Sequence, residues 1–328
     1  MGKGVVAIGK SMDNRFFMKL AGEYRKSLKP SETEELVNQL INRPLGFGAA
    51  KCFQKVKATP NFVTLLSLLC GLSAGVVFSR AKYPEVLWAA LLLQGMIIFD
   101  CADGQLARLT GRSSKFGRII DTFADLTTHA AVYWGVAVAL YKTSGFPVVW
   151  LLALLSQVSM YLHMALFDHF KNVYITVARP DYGDLLDSLK KMKEASEKMG
   201  SSGGRLSSIV AKMYVWFYKM ESRVVSLGYP SIGVTFYEVY PDSEHIDDGL
   251  RELYTREMRV PTKLWTMIGD TIHLEIFVVC GVLSRLSFIF PLILIYTNAV
   301  MIIALLIQRT KYRNLGLERE GLLQERFD

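Results

Sequence analysis

Long apolar segments separated by polar stretches recur along this 328-residue chain. Several segments reach the roughly 20 residues that a helix needs to cross a bilayer. The predicted spans are 62–79, 84–109, 115–141, 147–173, 263–283 and 286–308. The pattern predicts an all-α membrane protein with six transmembrane helices. It adds an N-terminal interfacial amphipathic helix and a cytoplasmic helical insertion between helices 4 and 5.

The predicted spans divide the chain into five regions. These are an N-terminal region (1–58), helices 1–4 (59–175), the insertion (176–262), helices 5 and 6 (263–308) and a tail (309–328). Within the insertion the pattern predicts helices over 184–198 and 206–225. The second is amphipathic and rich in aromatic residues, so it suits a membrane surface or a packing partner. The insertion shows no catalytic pattern.

Two amphipathic segments precede the first span. Ser31 can cap a helix over 32–42. In the next segment, 46–58, Phe47 and Cys52 share an apolar face while lysines lie opposite. Such a helix fits the cytoplasmic membrane surface, or alternatively a packing surface on the insertion.

Positive charge predicts the orientation. The formal net charge is +8, and Lys and Arg concentrate in the N-terminal region, in the turn near 112–115 and in the tail. The loops at the other ends of the spans carry few Lys or Arg residues, so the termini are expected in the cytoplasm. No basic stripe interleaved with aromatics indicates nucleic-acid binding. The four cysteines have no paired spacing that would predict zinc ligands or disulfides.

Four aspartates lie at the inner ends of the second and third predicted spans. Asp100 and Asp103 are three residues apart, and Asp121 and Asp125 are four apart. On helices each pair shares one face. Carboxylates at a membrane edge are costly and indicate function. Converging from two neighbouring helices, they predict a site for a hard divalent cation, Mg²⁺ or Mn²⁺.

Small residues and one arginine accompany the aspartates. Gly104 and Ala107 lack side-chain bulk, so a ligand could approach the helix backbone closely. Arg108 supplies a charged fork of the kind that binds phosphate. Gly117 gives the following helix the same freedom. A solvated acidic helix end beside a charged loop is the alternative, but it does not account for this combination.

This stretch resembles the signature of the CDP-alcohol phosphotransferase (CDP-alcohol phosphatidyltransferase) family. The signature D-x2-D-G-x2-A-R-x8-G-x3-D-x3-D is matched without a gap or substitution by eight positions. They are Asp100, Asp103, Gly104, Ala107, Arg108, Gly117, Asp121 and Asp125. The sequence Pro60-Asn61-Phe62-Val63-Thr64 also resembles the family's P-N-x2-T opening of its first helix.

The resemblance implies specific roles. Asp100, Asp103 and Asp121 would bind the metals, while Asp125 would lie close to them and act as general base. Gly104, Ala107, Arg108 and Gly117 would accommodate the CDP group. Asn61 and Thr64 would border the nucleotide pocket, although helix capping explains Asn61 equally well. The family also implies a CDP-linked donor, a hydroxyl acceptor, membrane lipids as surroundings and a homodimer.

Other polar residues in the predicted spans are candidates for acceptor contacts. They are His129, His163, Lys171, Asp270 and His273. Facing lipid would be costly, so they are expected to face the bundle. There they could bind the acceptor or form hydrogen bonds between helices.

These features favour an integral-membrane transferase of phospholipid biosynthesis that uses Mg²⁺ or Mn²⁺. The donor could be a CDP-diacylglycerol-like lipid or a soluble CDP-alcohol such as CDP-inositol, CDP-choline or CDP-ethanolamine. The approach Asn42-Arg43-Pro44-Leu45 resembles members that handle inositol phosphates. A cation-coupled transporter would predict broken helices and inverted repeats at the bilayer midplane. A bacterial inner membrane and a eukaryotic endomembrane are both compatible with the sequence.

Overall fold

The computed structural model describes residues 18–112, 115–179 and 248–315, and every regular element in these ranges is a helix. In chain order they are α1 (18–27), α2 (36–55), α3 (Pro60–Phe78), α4 (Glu85–Thr110), α5 (Lys115–Ser144), α6 (Val148–Ala178), α7 (Asp248–Trp265), α8 (Asp270–Val282) and α9 (Leu286–Asn314). The predicted all-α membrane fold is confirmed at this level.

Five helical segments in the described ranges are long and apolar enough to cross a membrane. They are Pro60–Phe78, Glu85–Thr110, Val148–Ala178, Arg251–Val282 and Leu286–Asn314. Each overlaps one of the predicted spans. Helix α5 is present at the predicted place but is not among the five. Its role as a sixth span therefore stays a prediction.

The fifth span differs from the predicted one. It comprises α7 and α8, which are separated by a turn over 266–269, with Gly269 in an extended conformation immediately before α8. The predicted end of the insertion, residue 262, therefore falls inside α7. The predicted start, residue 176, falls inside α6. The helices predicted over 184–198 and 206–225 lie outside the described residues.

Helices α3 and α5 cross at glycines. A Cβ atom on Gly135 would lie 2.1 Å from the carbonyl oxygen of Gly75, and one on Gly71 would lie 2.4 Å from Thr128. Only residues without side chains permit this separation, which is a usual way for membrane helices to pack. The crossing fixes α5, and with it Asp121 and Asp125, beside α3.

The N-terminal segment packs on the helical bundle instead of forming two separate helices. The chain turns over 31–34 and is helical from residue 36 through Pro44 to residue 55. A Cβ on Gly46 would lie 2.8 Å from the Cβ of Cys101, which shows how closely α2 approaches α4. Phe47 is buried as predicted, but Cys52 is exposed.

Three clusters of buried apolar residues hold the helices together in the described part of the chain. The largest joins α3, α4, α5, α6, α8 and α9, the second joins α6, α7 and α9, and the third joins α2, α3 and α4. Since lipid tails are as apolar as these side chains, close packing, rather than removal of apolar surface from water, stabilises the helix contacts within the membrane. The inner ends of α4 and α5 are thereby set side by side.

Candidate active site

Three of the four motif aspartates meet where α4 ends and α5 begins. Asp100 and Asp103 lie on α4, and Asp121 lies near the start of α5. Each offers a carboxylate oxygen, and these oxygens all lie within 4.8 Å of one another. Asp125 follows one turn later on α5, partly accessible to solvent, and does not belong to this group of oxygens. Its predicted contact with the metals stays a prediction.

The three carboxylates fit a divalent cation. Carboxylates this close repel each other unless positive charge lies between them. Oδ1 of Asp121 is buried and makes no hydrogen bond within the described part of the chain. Oxygen donors of this kind are the ligands that Mg²⁺ and Mn²⁺ prefer.

Thr64 supports the site from α3. Its Oγ1 lies 2.6 Å from Oδ2 of Asp103, and Thr64 is buried. The hydroxyl donates to the carboxylate, because an ionised carboxylate can only accept. A residue predicted to border the nucleotide pocket thus orients Asp103, one of the predicted metal ligands of the motif.

Asn61 does not cap α3. The cap is Thr59, whose Oγ1 accepts a hydrogen bond from the backbone N–H of Phe62 at 3.3 Å. Asn61 is exposed at the first turn of α3. The capping alternative is therefore wrong, and a contact between Asn61 and nucleotide stays a prediction.

Arg108 is held at the edge of the site by the N-terminal segment. Its Nε donates to the backbone oxygen of Ser27 at 2.6 Å. A Cβ on Gly104 would lie 3.4 Å from Nη1 of Arg108, so the guanidinium lies over this glycine. Ala107 is partly buried on the same helix, and Gly117 lies in the first turn of α5. Their roles toward CDP are untested.

Lys29 extends the positive charge at this edge. Its side chain is accessible to solvent although protein atoms surround it on nearly all sides, so it projects into a recess. Burial, reinforced by the nearby cations Arg43, Lys171 and Arg108, holds the pKa of Lys29 below its usual range. A group of cations in a recess favours binding of an anion.

Two predicted acceptor residues from different helices form one pair. Nδ1 of His129 lies 2.7 Å from the backbone oxygen of Asp125. Nε2 of the same ring lies 2.6 Å from Oδ1 of Asp270, the first residue of α8. His129 is fully buried, whereas the Asp270 side chain keeps 35% of its surface exposed. The pair connects α8 to the turn of α5 that carries Asp125.

His163 and His273 lie deeper in the bundle. Nδ1 of His163 is 3.2 Å from Nε2 of His273, and the opposite nitrogen of His273 is 3.3 Å from the hydroxyl of Tyr133. All three side chains are fully buried. These contacts favour a hydrogen-bonding role between helices, and acceptor binding by the two histidines stays a prediction.

Lys171 lies on α6 near the site. It forms an ion pair with Asp168 and its ammonium lies 5.0 Å from the ring centre of Phe167. The side chain is 25% exposed, so it keeps access to solvent. A contact between Lys171 and the acceptor stays a prediction.

The polar contacts of the N-terminal segment with α8 could not be predicted from the sequence. The Glu35 carboxylate accepts hydrogen bonds from the backbone N–H groups of Thr271 and Ile272 at 3.2 and 3.1 Å. Burial, reinforced by the charges of Asp270 and Glu34, raises the pKa of Glu35 to about 8. The only sequence signal was the acidic pair 34–35, which is typical of any helix start.

Arg43 belongs to the segment 42–45, which resembles family members that handle inositol phosphates. Its guanidinium is already paired with another side chain of the protein. It is buried against Glu34, with 3.1 Å between Nη2 and Oε1. The neighbouring Asn42 donates to Glu275 on α8 at 2.9 Å. In this structure these two residues therefore connect α2 to its surroundings, and a contact of Arg43 with phosphate stays a prediction.

The helices and the aspartate group define an integral-membrane protein with a candidate divalent-metal site between two neighbouring helices. Residues 57–193 match the family model described as CDP-alcohol phosphatidyltransferase. This matched region contains α3 to α6 and all four motif aspartates. This part of the chain is therefore similar to the CDP-alcohol phosphatidyltransferase family, as its motif indicated.

Curated relatives resemble the same part of the chain. A phosphatidylinositol phosphate synthase of Corynebacterium glutamicum is 36% identical over 98 residues, 30% of this chain and 42% of the relative. A CDP-diacylglycerol–serine O-phosphatidyltransferase of Mycobacterium leprae is 37% identical over 113 residues, 33% of this chain and 35% of the relative. An archaetidylinositol phosphate synthase of Pyrococcus horikoshii is 33% identical over 87 residues, 26% of this chain and 45% of the relative. The chain thus spans less than half the length of these relatives.

Proposed function

We propose that this protein is a metal-dependent CDP-alcohol phosphotransferase of phospholipid biosynthesis. It transfers a phosphatidyl or other substituted phosphate group from a CDP-linked donor to a hydroxyl acceptor and releases CMP. One observation carries the proposal: Asp100, Asp103 and Asp121 bring their oxygens within 4.8 Å inside the region that matches this family.

The proposed mechanism divides the motif between metal binding and proton transfer. Asp100, Asp103 and Asp121 would hold Mg²⁺ or Mn²⁺, and the bound cation would supply positive charge to offset that of the donor pyrophosphate and the departing CMP. Asp125 accepts the proton of the acceptor hydroxyl. The oxygen freed in this way bonds to the β-phosphorus as the bond from that phosphorus to the CMP oxygen breaks. Positioning and charge stabilisation supply most of the rate.

The remaining motif residues bind the donor in this proposal. Gly104, Ala107 and Gly117 leave room for the CDP group along the two helices. Arg108 faces its phosphates, and its bond to the Ser27 backbone fixes the guanidinium in place. Asn61 and Thr64 border the nucleotide, with Thr64 also holding Asp103.

The proposed donor is a CDP-diacylglycerol-like lipid and the proposed acceptor a small polar alcohol. The relatives support this choice. One is named for CDP-diacylglycerol and serine, and two are named as synthases of inositol phosphate lipids. Lys29, Arg108 and Lys171 near the site favour an acceptor with a negative charge, such as an inositol phosphate or glycerol phosphate. The alternative, a soluble CDP-alcohol donor, is kept as an arm of the test.

Helix α5 is proposed as the sixth span, with the aspartates and both termini in the cytoplasm. Its Asp121 lies beside Asp103, which bonds to Thr64 near the beginning of α3, and its other end lies beside the end of α3. There the Lys142 Nζ donates to the Ser79 oxygen at 3.0 Å. Because α3 is long enough to cross a membrane, α5 covers the same depth. The homodimer is an expectation from the family resemblance.

The test measures CMP release by purified protein with Mn²⁺ or Mg²⁺. Lipid and soluble CDP donors are each combined with inositol phosphate, glycerol phosphate, serine and inositol. We expect one pair to support release, and Asp125→Asn to lower it by about 10²- to 10⁴-fold. Asp248→Asn, at the exposed start of α7, is the matched control. Full activity in Asp125→Asn would contradict the base assignment, and silence from every pair would contradict the proposed function.

A further inference from the structure

Asp270 adjoins the motif aspartates although it lies far away in sequence. Its negative charge interacts with those of Asp100, Asp121 and Asp125. Protein atoms surround the carboxylate on nearly all sides, yet 35% of the side-chain surface is exposed. A deeply placed group that remains accessible lines a recess, and these interactions place that recess at the aspartate site.

Helix capping does not account for Asp270. It is the first residue of α8, a position where a carboxylate often binds the free backbone N–H groups. Here Glu35 accepts hydrogen bonds from the N–H groups of Thr271 and Ile272 instead. Asp270 thus adds negative charge beside three other carboxylates without being needed to complete the helix.

His129 holds Asp270 in place. Because the backbone oxygen of Asp125 can only accept, Nδ1 of His129 carries a proton. At 2.6 Å, Nε2 and Oδ1 of Asp270 must also share a proton, since two facing lone pairs would repel. Neither of these two atoms makes a hydrogen bond to another group in the described part of the chain. Among the described residues, His129 therefore engages one oxygen of Asp270, and the other oxygen makes no hydrogen bond.

The structure does not favour metal binding by the second carboxylate oxygen of Asp270. Asp270 is absent from the group of oxygens that lie within 4.8 Å of one another. It lies instead on the side of the site where His129 bonds to the Asp125 turn. In the proposed reaction this is the side from which the acceptor hydroxyl approaches, because Asp125 takes its proton.

We propose that Asp270 binds the acceptor alcohol through a second donor group, a hydroxyl or ammonium beside the reacting hydroxyl, and that His129 is its positioning residue. The inference rests on the proposed function. It restricts the acceptor to a molecule with at least two hydrogen-bond donors, such as a polyol or an amino alcohol. The reacting hydroxyl goes to Asp125, and the second donor goes to the free oxygen of Asp270.

The experiment compares Michaelis constants for Asp270→Asn, using the active donor–acceptor pair found in the CMP-release matrix. We expect KM for the acceptor to rise about 10- to 100-fold, as for loss of a hydrogen bond to a charged group. KM for the donor and the half-saturating Mn²⁺ concentration should change less than about twofold. A purely structural role would not separate these constants. Asp248→Asn should change none of them.

His129→Asn tests the positioning role. The shorter amide can still donate to the Asp125 backbone oxygen, but it does not extend to Asp270. We expect the acceptor KM to rise about 3- to 10-fold with the donor KM unchanged. Thermal unfolding, measured alongside, verifies that both variants are folded. If Asp270→Asn is not recovered folded, Asp270→Glu replaces it, since it keeps the charge and moves the oxygens by one methylene.

Each outcome decides the inference. An acceptor KM within about twofold of wild type in the folded Asp270 variant overturns it while the proposed function stands. An equal rise in the donor KM or in the Mn²⁺ requirement also overturns it, because Asp270 would then serve the donor or the metal. A wild-type protein that releases no CMP with any pair removes the proposed function and this inference together.

Discussion

Thr64 shows how a single hydroxyl on a neighbouring helix can orient a carboxylate of the candidate metal site. It donates to Asp103 at 2.6 Å and fixes the direction of that carboxylate. Thr64→Val keeps the shape and removes the donor. We expect the half-saturating Mn²⁺ concentration for CMP release to rise about 10- to 100-fold, as is typical when a residue that supports a metal ligand is lost.

Thr143→Val is the matched control for this change. Its hydroxyl bonds to the Ala139 backbone oxygen of its own helix, at the far end of α5. The control should have the wild-type Mn²⁺ requirement. If Thr64→Val does as well, the bond to Asp103 does not support a metal ligand.

Glu35 makes the fold sensitive to pH. Burial, together with the nearby Asp270 and Glu34, raises its pKa from 4.5 to about 8. Its contribution to stability is therefore complete below pH 4.5 and is lost as the pH rises through about 8. The free energy of unfolding should fall across this window by at most about 1.4 kcal/mol per pH unit. Unfolding of the detergent-solubilised protein, followed between these pH values, measures it.

Glu35→Gln should flatten the pH dependence in this window. The amide cannot ionise, so no charge develops between α2 and α8. Glu23→Gln is the control, because Glu23 is partly exposed and paired with Lys51 at 3.0 Å. An unchanged slope in Glu35→Gln would assign the pH dependence to another group.

At the scale of helices, the crossing of α3 and α5 sets the distance between Thr64 and the second aspartate pair. Gly135→Ala would place a Cβ 2.1 Å from the Gly75 oxygen, so the helices must separate. We expect a loss of about 1–3 kcal/mol in the free energy of unfolding, as for overpacking elsewhere. CMP release should fall as well, because α5 carries Asp121 and Asp125.

Gly95→Ala separates this steric effect from the general effect of removing a helical glycine. Nothing lies within 4 Å of a Cβ built there, in the middle of α4. Its stability should be unchanged or higher by up to about 1 kcal/mol, because alanine favours helix. If Gly95→Ala lowers the free energy of unfolding as much as Gly135→Ala does, the close approach of α3 and α5 is not the cause of the loss.

The helices were predictable because their apolar runs are long, and the aspartate group because its spacing is local. The continuous α2 was not predicted. Separate helices were expected over 32–42 and 46–58, but the π-helical turn Asn38–Asn42 leads directly into the helix that contains Pro44. The pairing of His129 with Asp270 also could not be predicted from a local sequence pattern. Two residues from distant segments meet only when the bundle has formed, and no spacing rule connects them.

At the scale of the whole molecule, the N-terminal segment completes the site instead of lying apart from it. Ser27 fixes Arg108, Lys29 adds charge to the recess, and Glu35 caps α8 next to Asp270. Sequence alone predicted that this region lies on the membrane surface or packs on the insertion, because its amphipathic pattern does not specify what covers the apolar face. The bundle supplies that cover through α4 and α8.

Membrane topology is the remaining whole-molecule prediction, and cysteine labelling tests it. Cys52 is exposed on α2, just before the α3 end that meets Asp103, so it marks the membrane side of the site. A membrane-impermeant maleimide should label it only in vesicles that present the cytoplasmic face. Lys142→Cys in a Cys52→Ser background marks the far end of α5 and should be labelled only from the opposite face. Labelling of both positions from one face would mean that α5 does not cross the membrane. Labelling of Cys52 from the outer face alone would place the site outside the cytoplasm, away from CDP-linked donors.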